Sequence, residues 1–155
     1  MTTNEIGTDL APHLRELPAQ HVAVLESRGD PAEVAQDVVP RLFAAVDGEA
    51  PLRARWPNAD RAPKDEWIGL WALPIAAGVK EIEGALVEDW EYGRVAEIVH
   101  VGPFETEPES VAKLEAFAAE QGLELVGPRE EEYLTPPGVE PQRTLIRYRV
   151  SSRSR

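Results

Sequence analysis

Two stretches of the chain echo each other. Val22-Ala-Val-Leu-Glu-Ser-Arg-Gly29 and Val95-Ala-Glu-Ile-Val-His-Val-Gly102 both open on Val-Ala, are rich in strand formers and close on glycine. Each reads as a strand ended by a turn, and each is followed by a helix signal. A duplication limits the folds available, because each copy is one supersecondary unit that must bury its apolar face against something. In the first copy Asp30 is placed to cap a helix, Pro31 fits its first position and Glu33 its third. Val34, Val38, Leu42 and Val46 recur every four residues, with Val39 beside them, giving one apolar stripe. Pro40 falls inside that stripe and predicts a kink or break, and Asp47-Gly48 is the expected stop.

The second copy repeats the logic. Thr106-Glu107-Pro108-Glu109 has capping-box form, Val111, Leu114, Phe117 and Ala118 make the stripe, and Gln121-Gly122 ends it. Beyond the helices, Ala62-Pro63-Lys64-Asp65-Glu66-Trp67 aligns with Gly127-Pro128-Arg129-Glu130-Glu131-Glu132, which sets Glu66 opposite Glu131. Further strands are expected at 66–73 and 79–83 in the first copy, and at 130–134 and 144–150 in the second. A strand at 85–90 and a turn at 91–93 join the copies. The expected fold is therefore α+β: duplicated β-α-β-β repeats in a curved antiparallel sheet, two helices on one face, and a ligand cleft at the seam. Repeat one covers about 18–84, the linker strand about 85–93 and repeat two about 94–150, in a single domain, as suits 155 residues.

Charge narrows the partners. Sixteen Lys and Arg against 28 Asp and Glu give a net charge of −12, and a surface that acidic repels nucleic-acid phosphates and anionic membranes. There is no cysteine, which removes disulfides and thiol chemistry. The first residues lack the basic and apolar regions of a signal peptide, and no apolar run approaches the roughly 20 residues of a membrane helix. The expected location is cytoplasmic. His13 and His21 do not share ligand spacing with other donors, so no metal or cofactor is expected. His100, at a strand end before Gly102, reads as structural. Arg147, Arg149, Arg153 and Arg155 read as a solvated strand face with a frayed end.

The stretches "VAEIVHVGPFE" (95–105), "GPREEEYLTPPG" (127–138) and the closing "TLIRYRV" together resemble the GyrI-like family. That family comprises effector-binding domains of MerR-type and AraC-type regulators and DNA gyrase inhibitory proteins. The resemblance spans about Leu17 to Val150. It implies a cleft between the repeats in which a glutamate meets cationic aromatic ligands among aromatic side chains. The family's Glu-x-Tyr element falls on Glu131 and Tyr133, and its His-x-Gly-Pro-aromatic element ends on Phe104. No helix-turn-helix pattern precedes Leu17, so any DNA-reading part is expected from a regulator partner.

Side chains alternate along a strand, so Glu131 and Tyr133 point one way while Glu130 and Glu132 point the other and are expected in solvent. A carboxylate withdrawn into an apolar cleft is costly unless paired, and a ligand cation would supply the partner. Four tryptophans stand against three Phe and one Met. Trp67, Trp71 and Trp90 are candidate walls, with Trp67 and Trp71 on one face, while Trp56 beside Pro57 is the weakest candidate. The leading expectation is a binder of hydrophobic, cationic aromatic small molecules. Two others stand beside it: hydrolysis of strained cyclopropane-bearing alkylating compounds, an activity of some GyrI-like proteins, here with Glu131 as general acid or base and Tyr133 as a hydrogen-bond donor, and a gyrase-interacting role for the acidic surface.

Overall fold

Where the pattern is strongest, at the two repeated strands and their helices, the computed structural model follows it. It describes residues 11–46, 51–136 and 138–152. The strands and helices, in chain order, are β1 (His13–Leu17), β2 (Gln20–Arg28), α1 (Pro31–Ala45), β3 (Arg53–Trp56), β4 (Ile68–Pro74), β5 (Leu86–Trp90), β6 (Gly93–Val101), α2 (Glu107–Glu120), β7 (Leu123–Leu125), β8 (Arg129–Tyr133) and β9 (Arg143–Ser152). Contacts divide the chain into a middle unit, Pro18–Glu91, and a split unit made of the residues up to Leu17 and those from Tyr92 onward.

In the middle unit the strand order is β5-β2-β4-β3, antiparallel throughout, with α1 packed on β2 and β4. The split unit has the matching order β1-β6-β9-β8, also antiparallel, with β7 beside the far end of β9 and α2 packed on β6 and β7. Each unit is thus β-α-β-β plus one flanking strand, with β7 added in the split unit, and the fold is α+β with an internal duplication.

The helices are built as their sequences dictate, with two exceptions. Asp30 caps α1 by accepting from the Ala32 N–H at 2.9 Å, and Val38 and Leu42 are buried. Pro40 does not end the helix, which runs on to Ala45. Pro40 and Gln36, whose carbonyl loses its donor, are both exposed, so water can take the freed bond. In α2, Leu114 and Ala118 are buried with Val111 and Phe117 packed nearby. Thr106 holds the cap position without capping; its hydroxyl bonds the Pro103 carbonyl at 2.9 Å and lies 3.0 Å from His100 Nε2. Gly122, at φ +75, takes the left-handed conformation that follows the helix end. The expected stop at Asp47-Gly48, and Arg153 and Arg155, lie outside the described residues.

Five strand assignments change. Lys64–Glu66 is a 3₁₀ turn with Glu66 exposed, so the strand begins at Ile68 rather than Glu66. Residues 79–83 form no strand; Ile82 makes a single bridge to Ala85. The place expected for them belongs to β3, and neither β1 nor β7 was foreseen. Register then corrects the alignment of the copies. Val24 pairs Ala72 and Ala72 pairs Arg53, as Glu97 pairs Arg147 and Arg147 pairs Glu130. The counterpart of Glu131 is therefore Ala54, not Glu66.

The middle unit is organised around indoles. Trp56 lies 5.2 Å from Trp71, edge-on, and 5.6 Å from Trp67. Such pairs contribute about 0.5–1.5 kcal/mol each beyond burial. Gly69 makes this possible. A Cβ there would sit 2.7 Å from Trp56 Cζ3 and 2.8 Å from both Ser27 Oγ and Trp71 Nε1, where Ser27 now accepts the Trp71 N–H at 2.9 Å. Gly69→Ala is expected to destabilise the protein by about 1–3 kcal/mol through overpacking. Urea unfolding followed by tryptophan fluorescence would measure it, and an unchanged midpoint would contradict this packing.

Candidate functional site

Strand β8 carries four charged residues in a row, and neither of its faces is simply wet. Glu131 pairs with Ile146 and Tyr133 with Thr144 across the β8–β9 ladder. Ile146 belongs to the cluster under α2, with Ala96, Ile98 and Leu114, so Glu131 and Tyr133 lie on the helix-bearing face. Glu130 and Glu132 lie on the other.

On that other face Glu130 and Glu132 depart from expectation. Glu130 is 2% exposed, and Glu132 is largely covered. The cause is Arg147, read from sequence as solvated but buried here. Its guanidinium donates to Glu97 at 2.7 Å, to Glu132 at 3.0 Å and to Glu130, and stands over the Tyr92 ring at 5.4 Å. Tyr92 donates its hydroxyl to Glu130 at 2.8 Å. Glu97 also takes His13 at 2.9 Å and Arg15 at 2.9 Å. Residues His13, Glu97, Arg147 and Glu130 are register partners on four adjacent strands, so the Arg147 cation stands between two carboxylates across the sheet. Burial pushes the Glu97 carboxyl up, but His13, Arg147 and Arg15 pull harder and hold it at about 2. The Arg147 guanidinium, pushed down by burial, is raised overall by Glu130, Glu97 and Glu132.

On the helix-bearing face Glu131 is 5% exposed. Tyr133 donates to its Oε1 at 2.9 Å, and Arg129 reaches its Oε2 at 3.2 Å. The same Arg129 Nη2 reaches Glu107 Oε1, from the first turn of α2, at 2.6 Å. Burial, and then the charge of Glu131, push the Glu107 carboxyl up to about 9, with Arg129 opposing. Phe104, 43% exposed, stacks edge-on against Tyr133 with centroids 6.2 Å apart. Glu107 was missed by sequence reasoning, which took it as part of a capping box. The signal available was its place three residues after Phe104, an aromatic that meets the Glu-x-Tyr strand.

Of the sequence candidates, then, Glu131, Tyr133 and Phe104 come together in the split unit. Trp67 and Trp71 come together in the middle unit, both on Trp56. Trp90 stands apart there, with the Arg55 guanidinium 4.1 Å from its ring centroid and its N–H on Glu88 at 3.0 Å. The Lys64 ammonium lies 5.8 Å over the Trp67 ring. Two shallow hollows, of about 370 Å³ along 80–87 and about 300 Å³ beside Leu123–Leu125, hold none of these side chains. Among the described residues no group of three His, Asp or Glu could hold a metal ion, and no helix is long and apolar enough to cross a membrane.

No family model matches the chain, and no curated protein matches it in sequence. Solved structures do match its fold. A conserved protein from Listeria innocua, described as uncharacterized, superposes with a TM-score of 0.78 at 22% identity, over 92% of this chain and 93% of that one. A hydrolase from Listeria innocua does so with a TM-score of 0.76 at 20% identity, over 92% of each chain. The C-terminal domain of EcmrR gives 0.73 at 12% identity, over 92% of this chain and 98% of that domain. The likeness is one of fold. It fits the GyrI-like architecture over nearly the whole chain, and at these identities it carries no residue's role with it.

Proposed function

We propose that the chain is a small-molecule-binding protein of the GyrI-like, effector-binding kind, taking hydrophobic cationic aromatic ligands at Glu131, Tyr133 and Phe104. The observation that carries this reading is a buried carboxylate bonded by a tyrosine hydroxyl, with a half-open phenyl ring at the tyrosine's edge. A flat cation could lay its ring on Phe104 and bring its charge toward Glu131. Trp67, Trp71 and Trp90 remain in the proposal as ligand contacts of the middle unit in their own right. Support for them comes from Trp67 and Trp90, which already hold an ammonium and a guanidinium over their faces; such contacts are worth about 0.5–2 kcal/mol each.

Titration with a fluorescent rhodamine tests the reading. A ligand of about 25 heavy atoms at roughly 0.3 kcal/mol per atom gives a micromolar dissociation constant. Glu131→Gln keeps the shape and removes the charge, and should weaken binding about 10–100-fold, the worth of a charge-assisted contact. Equal affinity in the two proteins would refute the role of Glu131. A second reading, hydrolysis of strained cyclopropane-bearing compounds, is favoured by the Tyr133 hydroxyl poised on Glu131. The same pair of proteins separates the two readings, since catalytic consumption of such a compound by the wild type, abolished by Glu131→Gln, would select the hydrolase.

A further inference from the structure

Two carboxyl groups in the split unit converge on one nitrogen. Arg129 Nη2 is 2.6 Å from Glu107 Oε1 and 3.2 Å from Glu131 Oε2. Both acids are buried, Glu107 to 3% exposure. One guanidinium charge balances one carboxylate, so two ionised carboxylates there would leave a net buried negative charge, which is costly. The remaining Glu107 oxygen, Oε2, is buried without a hydrogen-bond partner. An ionised carboxylate deprived of donors in that position is strongly disfavoured, whereas a carboxylic acid is tolerated.

We propose that Glu107 and Glu131 form a single proton-sharing acid pair held by Arg129, and that a cationic guest at this site enters in exchange for the pair's proton. The second half rests on the proposed function; the first does not. In the empty site the charges are Arg129 positive, Glu131 negative and Glu107 neutral, which sum to zero. When a cation arrives, the Glu107 O–H bond breaks, the proton passes to the buffer, and the pair of carboxylates faces two cations. The sum is again zero. Charge neutrality is kept in both states, which lets a dry site accept a cation at all.

The surroundings leave Glu107 as the group that titrates. From β8 it faces Arg129, Glu131 and Tyr133, whose hydroxyl is given to Glu131. Tyr148 of β9 interacts with Arg129 and Glu131, and burial raises its pKa, so it keeps its proton. On the β6 side His100 is held by Ser110 and the Pro103 carbonyl at 2.8 and 2.9 Å. Glu115 of α2 acts on Tyr148 and is exposed. The elevation of Glu107 to about 9 agrees with this arrangement. The Thr144 hydroxyl, register partner of both Tyr133 and His100 on the same face, is likewise buried without a partner, so the polar end of this face holds two unmet groups.

Two measurements decide the matter. Infrared difference spectra of the ligand-free protein at neutral pH should show the carbonyl band of a buried carboxylic acid, absent in Glu107→Gln. No such band in the wild type, or the same band in the variant, overturns the acid pair. Calorimetry of rhodamine binding in phosphate and in Tris, buffers of different ionisation heat, should then show about one proton released per dye, and affinity rising up to tenfold per pH unit below the titration of the pair. Glu107→Gln should release none and lose the pH slope. Dye binding by the wild type with no proton released overturns the exchange and leaves the proposed function standing. No dye binding at all overturns both the exchange and the proposed function, while the infrared band alone judges the pair.

Discussion

Replacing Arg147 by Met should destabilise the protein by about 3–5 kcal/mol at neutral pH, because one cation then deserts three carboxylates. Glu97 and Glu130 are buried, and Glu132 nearly so. Methionine fills the volume but returns none of the donors at 2.7 and 3.0 Å. Glu97 keeps the Arg15 guanidinium as well as His13, whereas Glu130 keeps the uncharged Tyr92 hydroxyl, so Glu130 is the greater casualty. The double variant Arg147→Met with Glu130→Gln should therefore recover a good part of the loss, a non-additivity that contacting residues show and distant ones do not. Thermal and urea unfolding of the three variants measure it. A loss under about 1 kcal/mol for Arg147→Met, the worth of an exposed pair, would mean the network is solvated and contributes little.

The same network was nearly illegible in the sequence, and the reason is physical. Arg147 and Arg149 share one face of an alternating strand, and alternation does not say how far along that face the sheet is covered. Arg149 is indeed exposed, and Arg147 is not. Its partner Glu97 lies 50 residues away and Glu130 lies 17 away. Only the order β1-β6-β9-β8 and its register bring them into one row. Strand β3 was hidden in the same manner. Its Arg53 is buried because its guanidinium is taken by Gln20 and the Pro51 carbonyl, and a four-residue strand with two arginines resembles a loop.

What could be read was what is local. The repeated strands, the Asp30 cap and both apolar stripes depend on neighbours within a few residues, and they stand where expected. So does the relation of Glu131 to Tyr133, since a period of two puts them on one side, and a 2.9 Å hydrogen bond joins them. Their surroundings were not readable. The expected lone carboxylate instead has an arginine from its own strand and, through it, a second acid from a helix.

That second acid gives the protein an unusual dependence on pH, and Glu107→Gln should expose it. Glu107 is raised from an ordinary 4.5 to about 9. A raised carboxyl favours the folded state fully below its unfolded value, and the benefit is lost as pH climbs toward the folded value, because the unfolded chain ionises freely while the folded one must keep its proton. Between pH 4.5 and 7 the loss amounts to on the order of 3 kcal/mol. Glutamine has nothing to ionise and can still offer an oxygen to Arg129. The variant should thus match the wild type near pH 4.5 and overtake it steadily as pH rises. Glu97 works in the opposite sense: held at about 2, it stabilises the fold above 4.5 and the benefit is lost as pH falls toward 2. Urea midpoints of both proteins from pH 4 to 9 are the measurement. If the two curves stay parallel across that range, Glu107 ionises as easily folded as unfolded, and the buried acid pair does not exist.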